Sequence, residues 1–135
     1  MSSEDNIETL RGAMEAFNRR DFDAALTTVS DDIRWERFLS RTESGTAAVN
    51  GKDELRAAWE SQVEAVDLST EVEEYIPIGE DKVAVVMQMV AHGSASEITL
   101  RIPATWVWAF DDRGLIFEVR TYDTREDALR DTKPD

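Results

Sequence analysis

The sequence predicts an α+β fold: a cone-shaped, strongly curved antiparallel sheet packed against N-terminal helices. Three observations predict it. Apolar residues recur at helical spacing through the first part of the chain, the period changes to two from residue 68, and short turn-rich segments join the later strands. Long antiparallel strands with helices against one face must bend, and the mouth of the resulting cone is a natural ligand cavity.

The elements follow in order. Ser2, Ser3, Glu4 and Asp5 read as a capping box opening a helix in which Ile7, Leu10, Met14 and Phe17 share one face. Asn18-Arg19-Arg20 ends it. Asp21 caps a second helix whose Phe22, Leu26 and Val29 share a face, so the two form a helical hairpin. Asp31-Asp32 reads as a turn, residues 33–37 as a short strand, and residues 41–51, rich in Ser, Thr, Gly and Asn, as a loop. Asp53 begins a third helix with Leu55, Trp59, Val63 and Val66 on one side. Residues 68–78, 82–92, 97–110 and 115–123 read as strands separated by turns. The strand over 82–92 is apolar on both sides and therefore central. The next, about 45 Å long if straight, must bend, and Pro103 within it calls for a bulge or an edge position. Thr124 to Asp127 form a second capping box, opening a helix through Asp131. Residues 1–135 read as a single domain with a core over about 5–131.

Composition narrows the function. A chain of 135 residues with 41% apolar and 33% charged residues fits a globular protein rather than a disordered one. Its 29 acidic against 15 basic side chains leave a net charge of −14, which disfavours nucleic acid and anionic membrane surfaces as partners. The absence of cysteine excludes disulfides, thiolate nucleophiles and Cys-ligated metals, and suits a cytoplasmic location. No signal peptide is visible, and the longest apolar run, Val83 to Val90, is broken by Gln88 and too short to span a bilayer. No His/Asp/Glu cluster has metal-ligand spacing and no glycine-rich phosphate loop occurs, so neither a metal nor a cofactor is expected. His92, the single histidine, abuts a hairpin tip where exposure is the default.

The segment Ala16-Phe17-Asn18-Arg19-Arg20-Asp21-Phe22, followed by Asp31-Asp32-Ile33-Arg34-Trp35, Gly51-Lys52-Asp53-Glu54-Leu55, Val107-Trp108 and Arg125-Glu126-Asp127-Ala128-Leu129, resembles the nuclear transport factor 2-like superfamily in its SnoaL-like and ketosteroid-isomerase-like branch. The resemblance covers about residues 5–131. It implies a cystatin-like α+β barrel with a hydrophobic small-molecule pocket, and a homodimer. Its chemistries transfer unevenly. The tyrosine and two carboxylates of ketosteroid isomerases fall on Ala13, Arg37 and the neighbourhood of Trp106, which cannot do that work. The strand over 82–92 lacks the Arg-x-Asp of limonene-epoxide-hydrolase-like members. SnoaL-like cyclases use one aspartate late in the last strand, and Asp123 is its nearest counterpart here.

Candidate site residues follow. Trp106 and Trp108 share a face if the strand alternates regularly, and with Trp35 they would form a stacking wall for a flat apolar or aromatic ligand, or simply fill the core. Trp59 reads as core. Arg37 would hold a carboxylate or enolate oxygen through its fork, or pair with a surface acid such as Glu36. Asp123 would act as general acid/base against an apolar wall, or favour the start of the last helix. Tyr122 would orient a ligand by its hydroxyl, or pack half-buried. Two functions remain open: a cofactor-independent lyase, isomerase or cyclase in which Asp123 moves a proton α to a carbonyl, and a non-catalytic ligand-binding, dimerisation or scaffold module.

Overall fold

The computed structural model describes residues 3–36, 49–65, 67–92, 99–122 and 124–131. Helix α1 (Ser3–Asn18) buries Leu10, Met14 and Phe17 along one stripe. It ends in a paired-turn cap: the Asp21 N–H donates to the Ala16 carbonyl at 2.8 Å and the Arg20 N–H to that of Phe17 at 2.9 Å. Arg20 occupies the left-handed position of this cap, with φ 66°. A side chain there is strained, and three contacts hold it: the guanidinium lies over the Phe17 ring at 5.7 Å, donates to the Phe17 carbonyl, and pairs with Asp67 at 2.5 Å.

Helix α2 (Phe22–Leu26) is capped by Asp21, whose carboxylate accepts from the Ala24 N–H at 3.2 Å. It stops at Leu26 rather than running to Val29. The Thr27 and Thr28 hydroxyls donate to the Ala24 and Ala25 carbonyls, both at 2.7 Å, offering these carbonyls partners other than the next helical turn. Val29 instead opens β1 (Val29–Glu36), so Asp31 and Asp32 lie within a strand and not in the expected turn. β2 (Val49–Asn50) pairs antiparallel with β1, and α3 (Lys52–Ala65) buries Leu55 and Trp59.

The remaining strands are β3 (Asp67–Ile78), β4 (Lys82–His92), β5 (Thr99–Phe110) and β6 (Ile116–Tyr122), followed by α4 (Arg125–Asp131), whose Asp127 N–H donates to Thr124 Oγ1 at 3.0 Å. They form one curved, unclosed sheet in the order β2-β1-β6-β5-β4-β3. It is not antiparallel throughout. β1 runs parallel to β6, because the helical hairpin delivers the chain to the flank of a strand made much later. Pro103 sits in the interior strand β5 without a bulge, opposite Gln88. The β5–β6 pairing begins only at Thr105, so at Pro103 the strand has β4 on one side alone and the missing N–H breaks no ladder there. Register shifts fall elsewhere, between Val29 and Arg34, between Val72 and Glu74 and between Ala109 and Phe110.

Two asparagines dock α1 on the sheet. Asn6 donates through Nδ2 to the Glu80 carbonyl at 2.9 Å, and Asn18 both donates to the Thr70 carbonyl at 3.1 Å and accepts from the Thr70 N–H at 3.0 Å. The second contact occupies backbone groups of the edge strand that would otherwise be open to another chain. Helices α1–α3 cover the inner face of the sheet and α4 covers part of the outer face. Of the loop expected over 41–51, residues 41–48 lie outside the described residues and Val49–Asn50 form β2 instead, paired with β1; the loop expected over 93–96 lies outside the described residues.

The αL position at Arg20 generates a test. Arg20→Gly removes the strain along with the three contacts, whereas Arg20→Ala loses the contacts and keeps the strain. Urea unfolding is expected to find the alanine variant less stable than the glycine variant by about 1 kcal/mol.

Candidate functional site

Strand register builds the inner wall. Val83 of β4, Trp108 of β5, Val119 of β6 and Trp35 of β1 are consecutive partners in one row across the sheet. Trp35 and Trp108 are therefore two strand spacings apart, about 9.5 Å, with a fully buried valine between them. The small residue lets the two indoles meet above it, with ring centroids 5.2 Å apart and planes at 71°. Trp106, one row away beside Thr121, meets Trp35 edge-on at 5.2 Å and 82°. Trp59 closes the assembly from α3, edge-on to Trp35 at 6.2 Å and to Phe17 of α1 at 5.6 Å. These are edge-to-face geometries that the aromatic quadrupole favours.

Between this wall and the helices lies a cavity of about 40 Å³. It holds no more than a few waters, because the indoles occupy most of the space beneath the helices. Phe17, Met14 and Ala13 of α1 line it from above, and Leu68 and Met89 from the far strands. Its half-buried members, among them Gln62, Thr70, Met89 and Trp106, mark the side that meets solvent. No ionisable side chain lines it among the described residues. The polar groups are few. Thr28 Oγ1 donates to Ala25, and Thr70 Oγ1 lies 3.7 Å from the Met14 sulfur and 3.4 Å from Asn18 Oδ1. The Trp108 indole N–H is buried without a hydrogen-bond partner among the described residues.

Of the residues singled out in the sequence, Trp35, Trp106 and Trp108 line the cavity. Trp59, read as core, is both core and wall. Tyr122 is a correction: it does not face the cavity. It pairs with Thr105, in the register opposite to Trp106, and packs with Ala84, Val107 and Ala128 under α4 on the outer face. Arg37 and Asp123 lie outside the described residues. His92 is exposed, its Nδ1 2.9 Å from Thr99 Oγ1. Gln62 and the α1 residues Ala13, Met14 and Phe17 also line the cavity, which no sequence pattern marks. Helical spacing marks Met14 and Phe17 as buried but not what they face.

The outer face carries, beside its apolar cluster under α4, a set of polar contacts. Arg101 pairs with Glu71 at 2.5 Å, Arg125 with Glu74 at 3.4 Å, and Gln88 donates to Glu73. Among the described residues no group of three His, Asp or Glu side chains could hold a metal, and no helix is long and apolar enough to cross a membrane.

An antiparallel meander wrapped on a helical hairpin, with an indole-walled cavity between, is the architecture of a pocket-bearing α+β domain. The SnoaL-like domain family matches residues 10–119, and the chain belongs to that family. Solved structures agree in fold. RV0760c from Mycobacterium tuberculosis, in complex with estradiol-17beta-hemisuccinate, is 18% identical with a TM-score of 0.77, over 93% of this chain and 97% of its own. The Delta 5-3-ketosteroid isomerase from Mycobacterium sp. is 19% identical with a TM-score of 0.74, over 93% and 96%. SalBIII, an epoxide hydrolase/cyclase-like enzyme of pyran ring formation in salinomycin, is 19% identical with a TM-score of 0.74, over 92% and 94%. At these identities the likeness is one of fold, here the nuclear transport factor 2-like, ketosteroid-isomerase-like one. No curated protein matches the chain.

The wall predicts unequal costs. Trp35, at the centre of the indole contacts and 2% exposed, is expected to cost about 3–5 kcal/mol on truncation to alanine. Trp106, half-buried, is expected to cost less than half as much. Denaturant unfolding of both variants checks the order.

Proposed function

We propose that this protein binds a small, flat, apolar or aromatic molecule in the cavity beneath α1. The observation that carries the reading is the wall of four indoles around a residual space that opens at the half-buried Trp106. Buried aromatic faces offer stacking area at little entropic cost, and the described lining presents no charge. The residual space is smaller than a drug-sized guest requires, so a guest enters by displacing side chains at the mouth, with Trp106 the least enclosed of the four indoles. Structural neighbours in complex with a steroid ester, or named as a ketosteroid isomerase, support a small-molecule reading of this fold.

Saturable quenching of tryptophan emission by members of an aromatic and terpenoid compound set is the expected outcome. Trp106→Ala is expected to change affinity at least severalfold with little loss of stability. A flat titration across the whole set would overturn the reading.

A catalytic version draws on the sequence alone. In it Asp123, which follows the last strand, moves a proton α to a carbonyl, and Arg37, which follows β1, holds the oxygen that gains charge. Asp123→Asn is then expected to abolish conversion of a bound compound while leaving its binding intact. Conversion at the original rate in that variant removes Asp123 from the chemistry.

A further inference from the structure

The Trp108 indole N–H is a polar group of the cavity wall that no described residue serves. Trp108 is 4% exposed, and its Nε1–H is buried without a hydrogen-bond partner among the described residues. Its partners across the sheet are Val83 and Val119, both fully buried and apolar, and its ring neighbours are Trp35 and Trp106. None of these contacts supplies an acceptor atom to the indole nitrogen. The threonines of the lining do not serve it either: Thr28 Oγ1 is engaged with Ala25, and Thr70 Oγ1 with Met14 and Asn18. Buried donors are rarely left in this state, because an unmade hydrogen bond in an apolar wall forfeits the solvation the group had in water.

We propose that Trp108 is a specificity-determining donor of this pocket. It selects an apolar, flat guest that carries a neutral hydrogen-bond acceptor, a ketone or ether oxygen, over the hydrocarbon of the same shape and over the corresponding carboxylate. The inference rests on the small-molecule reading of the cavity and adds to it the chemical class of guest. A neutral oxygen recovers the bond that the wall leaves unmade. A hydrocarbon fills the same space and leaves the donor unpaired. A carboxylate would also meet the donor, yet it would have to shed its hydration beside a lining with no cation among the described residues, in a chain of net charge −14.

The test uses the full chain and three matched probes: indane, 1-indanone and indane-1-carboxylate. Calorimetric titration is expected to find 1-indanone bound about tenfold more tightly than indane, the worth of one hydrogen bond, with the carboxylate weakest. Trp108→Phe keeps an aromatic ring and deletes the donor, so it is expected to bind indane and 1-indanone alike. Should that variant fail to fold, the indole N–H resonance of Trp108 in the unaltered protein is the second readout, expected to shift downfield with 1-indanone and to stay in place with indane. Equal binding of indane and 1-indanone by the unaltered protein, a preference that survives Trp108→Phe, or a resonance that ignores the ketone would overturn the donor's role while leaving the pocket reading in place. Binding of none of the three probes, by the protein or the variant, would count against the pocket reading itself and take this inference with it.

Discussion

Trp35 and Trp108 stand two strands apart with Val119 between them, and the inner half of the molecule is arranged around the contact this spacing allows. A larger residue at 119 would hold the indoles apart, and a strand order without β6 between β1 and β5 would alter the row altogether. Because the row is large–small–large, the two rings lean together over the valine and present a continuous aromatic surface to the helices. Phe17 and Trp59 then have something to pack against, and α1 and α3 are held over the sheet rather than beside it. The asparagines at either end of α1 set its position along the strands, and the indole wall sets its height.

This arrangement separates charge from site. The excess acidic charge is carried on exposed positions, and its ion pairs, such as Arg101 with Glu71 and Arg125 with Glu74, are solvated contacts of small individual worth. The cavity wall is by contrast neutral along its described length. Discrimination inside such a wall comes from shape and from whichever donors and acceptors the packing leaves uncommitted. Long-range attraction plays little part there. A lining rich in indoles also leaves little empty volume, so occupancy and side-chain adjustment at the mouth are coupled.

Much of the fold was legible in the residues. The amphipathic stripe of α1, the Asp21 and Thr124 caps, and the strands over 67–92 and 99–122 follow from spacing and turn chemistry, which act over a few residues. The shared face of Trp106 and Trp108 follows from alternation. Three features were not legible. α2 ends early in a tightened turn, the Thr27 and Thr28 N–H groups and hydroxyls all donating to the Ala24 and Ala25 carbonyls, a pattern that apolar spacing does not register. Of the two settings open to Pro103, a bulge or an edge position, the edge-like one holds because the partner strand stops short of it, a choice that depends on the register of another element. Tyr122 faces outward because the β5–β6 pairing aligns it with Thr105, and its own sequence neighbourhood carries no sign of which side of the sheet is the inside.

By itself, then, the sequence determined the local pieces: which segments are helix or strand, where they begin, which residues are apolar enough to be buried, and how acidic the surface is. These depend on interactions between residues close along the chain. Only the tertiary structure decided that β1 lies parallel to β6, that a tryptophan from each of β1, β5 and α3 converges on one space, and that the Trp108 nitrogen is left without a partner. Those outcomes depend on residues as far apart as 35 and 119, whose meeting is set by strand register and helix docking and leaves no periodic trace in either segment.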